Sequence, residues 1–186
     1  ETKLFYTNKK SEYADQSLDD SFLKSLAEGG FQVGELAKYY FCNDPAAENI
    51  SIDTLNYEEA LRQTAEKINN GAKVIAEAAF RYENLFIRAD IFKIDTQKKE
   101  IELHEVKAKS YSSADNFMSV ERKSGDTTGI KSGWESYLFD AAFQKYVLRK
   151  CFPDYKISAF LMMADKDAVA SVPGLNQFFK INKNGY

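Results

Sequence analysis

LFIRADIFKIDTQKKEIELHEVKAKS, residues 85–110, is the stretch of this chain that decides the fold. Apolar and polar residues alternate on both sides of a short polar turn, a pattern that predicts two β-strands joined in a hairpin. The first strand carries a single acid, Asp90, and the second carries the tripeptide Glu105-Val106-Lys107. Because side chains alternate across a strand, Glu105 and Lys107 point to the same face, and pairing about the turn brings Asp90 opposite Glu105.

This arrangement of two acids and a lysine can hold a hard divalent cation. Carboxylates on neighbouring strands, here Asp90 and Glu105, are the oxygen ligands that Mg²⁺ and Mn²⁺ prefer, and the backbone carbonyl of Val106 can supply a third oxygen. Lys107 would lie near a metal-bound water, where it could orient the water, help to deprotonate it or balance the charge of a phosphate. The alternative is a cross-strand ion pair on a solvated face, which contributes little stability. The position of Asp90 in the middle of an apolar strand argues for the metal site.

The flanking sequence predicts helices before the hairpin, and a helix and a further strand after it. Apolar residues recur at i, i+3 and i+4 in the helices and alternate in the strands. Gly29-Gly30 and Asn70-Gly71 are expected to end helices, since glycine is common just after a helix C-terminus. The predicted elements are an extended arm over 1–17, helices over 18–28, 32–42 and 57–69, strands over 73–81, 85–95 and 100–107, a loop over 109–131, a helix over 132–151 and a buried central strand over 155–164.

These elements predict an α/β domain with a mixed β-sheet. The first three strands follow each other through short turns and form an antiparallel meander, and the helix before the fourth strand allows a parallel crossover. A chain of 186 residues suits one domain with a full core, so residues 1–186 are expected to form a single domain. The first residue is not methionine, and we expect the chain to be a fragment of a longer protein.

Composition and cysteine content narrow the class of protein. A content of 44% hydrophobic and 28% charged residues is typical of an ordered globular domain. No run approaches the ~20 apolar residues that cross a membrane, so we expect a cytoplasmic protein with no membrane partner. Cys42 and Cys151 stand far apart, outside any Cys-x-x-Cys motif, and are interpreted as reduced thiols. Two cysteines and one histidine are too few for a zinc site or an iron–sulfur cluster.

The segments RADIF and ELHEVKA, in this order of elements, resemble the PD-(D/E)XK nuclease superfamily, and its RecB-like branch in particular. The resemblance covers residues 31–164 and implies an αβββαβ restriction-endonuclease-like core with extra N-terminal helices. It also implies that Asp90, on the second strand, and Glu105 and Lys107, on the third, are catalytic residues. The chain is similar as well to an uncharacterised bacterial domain family of this clan, in which the helix after the third strand reads much like AFQKYVL.

Three further positions are implied by the same resemblance. Gln144, in the helix after the third strand, is implied as a catalytic residue, and its alternative role is to cap or bridge backbone groups. Glu35, in the first core helix, is implied as an auxiliary metal ligand, and its alternative role is a solvated helix residue. Some relatives have a histidine four positions after the glycine that corresponds to Gly34, but here that position is Lys38. Glu77, on the first strand, is a second auxiliary candidate. Two aromatic residues outside this set, His104 and Trp134, are expected to be structural.

The resemblance implies a Mg²⁺- or Mn²⁺-dependent deoxyribonuclease. The net charge of −3 does not favour tight binding of nucleic acid, but residues 98–150 hold 10 Lys and Arg against 8 Asp and Glu. The cations expected to contact the nucleic acid are Lys109, Arg122, Lys123 and Lys131.

Two other functions stay open at this point. One is a weak or inactive nuclease-fold module for binding or assembly, within a larger protein that processes nucleic acid. The other is a structural α/β domain in which Arg88 or Lys107 pairs with Asp90. The sequence also leaves open whether the substrate is DNA or RNA, whether it is single or double stranded, and whether it is cleaved at its ends or internally.

Overall fold

The computed structural model describes residues 21–41, 50–120, 125, 127–169 and 171–173. The predicted arm over residues 1–17 lies outside this part of the chain, as do Cys42, Arg122 and Lys123. The described residues form three helices and six strands. They are α1 (Ser21–Phe41), α2 (Tyr57–Asn69), β1 (Val74–Tyr82), β2 (Leu85–Asp95), β3 (Glu100–Tyr111), β4 (Met118–Val120), β5 (Thr127–Ile130), α3 (Ser132–Cys151) and β6 (Lys156–Asp165).

A mixed four-stranded sheet with the order β1-β2-β3-β6 forms the centre of the protein. Strands β1, β2 and β3 pair antiparallel, whereas β3 and β6 pair parallel and are connected through α3. A helix between two parallel neighbours is the usual way to return the chain to the same end of a sheet. The predicted α/β class, mixed sheet, meander and parallel crossover are therefore confirmed.

The hairpin of β2 and β3 is held by its turn. The Asp95 carboxylate accepts hydrogen bonds from the backbone N–H groups of Gln97 and Lys98, at 3.0 and 2.9 Å, which is how aspartate commonly closes a turn. The resulting register pairs Ile91 with His104. One further step along this register brings residue 90 opposite residue 105, as the sequence predicted.

Helices cover both faces of the sheet. Alternation along β2 sends Ile91 into a small apolar cluster with Ala37 of α1, and sends Phe92 into the main core with Leu148 of α3. The main core also contains Ala60 of α2, so α2 and α3 share one face and α1 covers the other. Residue 105 lies on the face that packs against α3, because it keeps the alternation of Ile101 and Leu103 of the main core.

The predicted helix boundary at Gly29-Gly30 is wrong, because α1 is one continuous helix from Ser21 to Phe41. A glycine in a helix is about 1 kcal/mol less favourable than alanine, a cost that packing can offset. Packing of α1 against β3 and β2 supplies that compensation, with Ala37 buried at the contact. Within the described residues, two helices precede the sheet.

Two predictions about the second half of the chain are also corrected. Strand β6 lies at an edge of the sheet and is not central, although the helices on both faces shield part of it, which accounts for its apolar run. The segment 109–131 is not a plain loop. Strand β3 continues to Tyr111, and β4 and β5 form a separate two-stranded antiparallel sheet. Short strands with many polar residues carry too weak a pattern to be recognised from sequence.

Candidate functional site

Asp90 is held in place by the backbone of the neighbouring strand. Its Oδ2 atom accepts a hydrogen bond of 2.7 Å from the Val106 N–H. The cations proposed as its partners bind elsewhere: Arg88 donates to the carbonyls of Ile52 and Thr54, and Lys107 binds two other acids. The Arg88 or Lys107 pairing expected for a purely structural Asp90 is therefore wrong.

Glu105 is a buried acid, with 5% of its surface exposed. Its Oε1 accepts from Lys107 Nζ at 2.6 Å, and its Oε2 accepts from Gln144 Nε2 at 2.5 Å. Burial, followed by the negative charge of Asp90, raises the pKa of Glu105 to about 7. The Glu-x-Lys pair is thus a half-buried network below α3, and the alternative of a solvated surface pair does not hold.

Asp140 is a member of this network that the sequence reasoning missed. Its Oδ2 accepts a hydrogen bond of 2.8 Å from Lys107 Nζ. Burial alone would lower the pKa of Lys107, but the hydrogen bonds to Asp140 and Glu105 outweigh burial and raise it. Lys107 is therefore a stable cation and a poor proton acceptor. The signal was the spacing of Asp140 and Gln144, one helical turn apart on α3, which places both towards one partner.

Gln144 is almost completely buried, and it contacts an acid instead of capping the backbone. Its amide nitrogen is the donor to Glu105. Its Oε1 atom has no hydrogen-bond partner among the described residues. Because an unsatisfied buried acceptor costs free energy, this atom is suited to accept a hydrogen bond from a water or a ligand group bound at the site.

A cavity of about 350 Å³ opens beside Asp90, between α1 and the sheet. Glu35 lies exposed at its wall and forms a 2.8 Å ion pair with Lys38, one turn further along α1. The Lys38 Nζ is also 4.0 Å from a carboxylate oxygen of Glu77. The cavity is lined by Gly30, Gly34, Glu35, Lys38, Glu77, Asp90, Ile91 and Val106.

Glu77 has an unusual backbone in the middle of β1. Its φ of 57° lies in the left-handed region, which is strained for residues other than glycine. Ala76 pairs with Ile91 and Ala78 with Ala89, so Glu77 falls opposite Asp90. Burial, followed by the charge of Asp90, raises the pKa of Glu77. Strand β1 is thus distorted at Glu77, whose carboxylate lies beside that of Asp90.

The oxygen atoms that this site offers are of the kind that a hard divalent cation prefers as ligands. Asp90 and Glu105 supply carboxylate oxygens from opposite positions of two strands, and burial is the main cause that raises the pKa of each. A cation between them would remove the repulsion that adds to the rise at Glu105. No three His, Cys, Asp or Glu side chains in the described ranges converge as a preformed metal-binding group. The carbonyl of Val106 stays a predicted ligand, and β3 changes register against β6 just after it.

The predicted nucleic-acid contacts lie in three different settings. Lys109 is half-buried against the start of α3, with its Nζ 4.0 Å from the centre of the Trp134 ring and 2.8 Å from the Gly133 carbonyl. Lys131 is exposed directly before α3. Arg122 and Lys123 are not among the described residues. The structure therefore describes two of the four predicted contacts, Lys109 and Lys131.

The two residues expected to be structural pack in the protein. His104 points to the face opposite Glu105, with its ring between Phe41 and Phe160. Trp134 is buried against Phe117. The Cys151 thiol is half-buried and lies 3.5 Å from the Arg81 carbonyl, to which it donates.

A search against known protein families, curated proteins and solved structures gives no match for this chain. Within the described residues, no helix is long and apolar enough to cross a membrane. The site is therefore interpreted from its own geometry and chemistry.

Proposed function

We propose that this protein is a Mg²⁺- or Mn²⁺-dependent nuclease that hydrolyses phosphodiester bonds in DNA. The observation that carries the proposal is the buried Glu105, which binds Lys107 and lies close enough to Asp90 for the charge of Asp90 to raise its pKa. The order of helix, three antiparallel strands, helix and parallel strand supports a restriction-endonuclease-like core. The proposal includes a cytoplasmic location.

In this mechanism the residues of the chain position the reacting groups. Asp90 and Glu105 hold the cation, which when bound neutralises phosphate oxygens and makes a water more acidic. The Val106 N–H fixes Asp90, and Gln144 fixes Glu105. Lys107 is protonated, so it orients the water or balances the charge of the phosphate and does not act as the base.

The proposed reaction is hydrolysis by in-line displacement. The oxygen of a water bonds to phosphorus while the bond from phosphorus to the leaving oxygen breaks. The water loses one proton to solvent, and the leaving oxygen takes up one proton. A phosphodiester and water thus become a phosphomonoester and an alcohol.

Cleavage of end-labelled oligonucleotides in Mn²⁺ and in EDTA tests this function. We expect cleavage only with the metal, and a loss of about 10²- to 10³-fold in Asp90→Asn and in Lys107→Met, since each removes charge stabilisation at the reacting phosphate. Lys156→Met is the matched control, because Lys156 pairs with Glu100 at the far end of β3. Unchanged cleavage in both site variants would refute the proposal. Single-stranded DNA, duplex DNA and RNA are compared in the same assay.

One observation favours the second candidate, a weak or inactive module for binding or assembly. Lys107 already bridges Glu105 and Asp140, so its charge is compensated without any metal. If the network were purely structural, calorimetric titration would show no Mn²⁺ binding and no oligonucleotide would be cut. Binding of Mn²⁺ that is lost in Asp90→Asn would favour the nuclease.

A further inference from the structure

Strand β6 forms an edge of the main sheet, and its outer side has no partner among the described residues. The Lys156 N–H donates to the Lys99 carbonyl at 2.9 Å, and at the other end the Lys166 N–H donates to the Tyr111 carbonyl at 3.0 Å. The even-numbered residues of β6 therefore turn their backbone groups towards β3, and the odd-numbered residues turn theirs outwards. The outward N–H and C=O groups belong to Ile157, Ala159, Leu161 and Met163.

This outer side lacks the features by which proteins usually protect a sheet edge, namely charged side chains, proline, bulges or a covering segment. Residues 157–164, ISAFLMMA, contain no charge and no proline, and the irregular pairing of β6 with β3 adds residues to β3 and not to β6. The opposite edge, β1, is covered instead. The Ile52 N–H donates to the Ala76 carbonyl, and the Ala76 N–H donates to the Ile50 carbonyl. An open, uncharged edge strand of ten residues can pair with another strand.

Exposed apolar side chains flank the β6 edge on the face that α1 covers. Phe160, in the middle of β6, has 46% of its surface exposed. In α1, Ala37 packs against the sheet and Lys38 reaches towards β1 on one side. Helical geometry then places Leu36 and Tyr40 on the other side, towards β6, and they are 66% and 67% exposed. The open edge is therefore continuous with an apolar surface.

We propose that β6 pairs antiparallel with β6 of a second copy of this chain, about a two-fold axis at Phe160. Such an axis places each residue opposite one on the same face of the sheet, so Phe160 meets its own copy. Asp154 and Lys166 stand at equal distances before and after Phe160, and both are exposed, so the acid of one copy lies beside the base of the other. Lys166 is 3.5 Å from Asp115 of its own chain and still keeps half of its side chain exposed.

Charge also selects this register over the next one. With the axis moved one residue, to Leu161, Lys156 of one copy would lie opposite Lys166 of the other, and like charges directly opposite each other are destabilising. With the axis at Phe160, Lys156 lies opposite Ala164 instead. The strand is therefore complementary to itself in one register, which favours a second copy of the chain as the partner.

A disulfide at the axis tests the pairing directly. Because the backbone groups of Phe160 face β3, the two copies would meet there as a non-hydrogen-bonded pair, with Cα atoms about 4.5 Å apart, a distance that a disulfide spans. In the chain with Cys42→Ser and Cys151→Ser, Phe160→Cys should form a covalent dimer with oxidised glutathione. Ser158→Cys is the matched control on the same face of β6. Its two copies would be offset by four residues, about 13 Å, and should stay unlinked.

Sedimentation equilibrium measures the dimer without a cross-link. We expect the wild type to form dimers, and Phe160→Lys to raise the dimer dissociation constant about tenfold or more, because two like charges would meet at the axis. Phe139→Lys is the matched control, since it makes the same change at an exposed aromatic residue of α3, on the other face of the sheet. Melting temperatures show that each variant is folded.

Hydrogen exchange distinguishes a second copy from a segment of the same chain. We expect the amides of Ala159 and Leu161 to exchange slowly in the dimer and quickly on dilution to monomer. Slow exchange of both amides in a monomer would show that the chain covers its own edge and would refute the proposal. A monomer at all concentrations, equal cross-linking of Ser158→Cys, or a dimer that Phe160→Lys does not weaken would refute it too. None of these measurements depends on cleavage of nucleic acid, so the dimer and the proposed nuclease stand or fall separately.

Discussion

Glu105 is the residue whose ionisation connects the site to the stability of the protein. Its pKa rises from 4.5 to about 7 on folding, first through burial and then through Asp90. Because folding favours the protonated form, its contribution to stability is complete below about pH 4.5 and is lost as the pH rises through about 7. Thermal unfolding in EDTA should therefore show a melting temperature that falls from about pH 5 to about pH 8. Glu105→Gln should flatten this fall, and an equal fall in that variant would contradict the assignment.

Asp140 is the residue that holds Lys107 from the helix side. Asp140→Asn keeps the shape of the side chain and removes the charge that pairs with Lys107 at 2.8 Å. Changes to residues that orient a ligand or a catalytic group commonly cost about 10- to 100-fold in activity. We expect Mn²⁺-dependent kcat to fall by this amount with little change in KM, and Asp140→Glu to restore part of it. A kcat equal to that of the wild type in Asp140→Asn would show that the contact is only structural.

For single residues, the alternation of side chains along a β-strand accounts for what could be predicted from the sequence. It placed Glu105 and Lys107 on one face and Asp90 opposite them, since these relations depend on neighbours in a hairpin. The contacts from α3 depend on how a helix packs on the sheet, and Asp140 lies 33 positions from Lys107. The one-turn spacing of Asp140 and Gln144 shows that they share a helix face but does not show which residue of the sheet they contact, and so Asp140 was missed.

At the scale of elements, the small β4–β5 sheet is joined to α3 through aromatic contacts. Phe117, just before β4, packs edge-on against Trp134 of α3 with ring centres 5.0 Å apart. Trp134 is the only tryptophan of the chain, so tryptophan fluorescence reports the surroundings of this one ring. Phe117→Ala should admit water to the indole and shift its emission to longer wavelength, whereas Phe117→Leu should shift it less. An unchanged spectrum in Phe117→Ala would mean that the contact does not bury Trp134.

Elements with a strong period were predicted well, and those set by packing were not. The hairpin of β2 and β3 carries clear alternation and an aspartate-closed turn, so its register and its bounds were predicted, except for the end of β3, which continues to Tyr111. Helix α1 passes through Gly29-Gly30 because packing outweighs a local preference against helix. The apolar run of β6 reflects the helices that pack on both of its faces. It does not indicate whether the strand is central or at an edge of the sheet.

At the scale of the whole molecule, the fold brings groups from both faces of the sheet to one place. Helix α3 supplies Asp140 and Gln144 to one side of the paired strands, and α1 supplies Lys38 to a cavity on the other side. Asp90 belongs to both, because it stands opposite Glu105 and also lines the cavity. The backbone pairing of β2 with β3 ends next to it, at Ile91 and His104, and beyond that point the Val106 N–H binds the Asp90 side chain. The class and topology of this fold followed from the sequence, whereas the meeting of α1 and α3 at Asp90 required the structure.

The most direct measurement of the central claim is anomalous diffraction from a crystal soaked in Mn²⁺. We expect an anomalous peak between the carboxylates of Asp90 and Glu105, with the Lys107 ammonium turned from Glu105 towards Asp140. The peak should be absent from crystals of Asp90→Asn. A wild-type crystal with no anomalous density at this position, and with Lys107 still bound to Glu105, would contradict the metal site and the nuclease that depends on it.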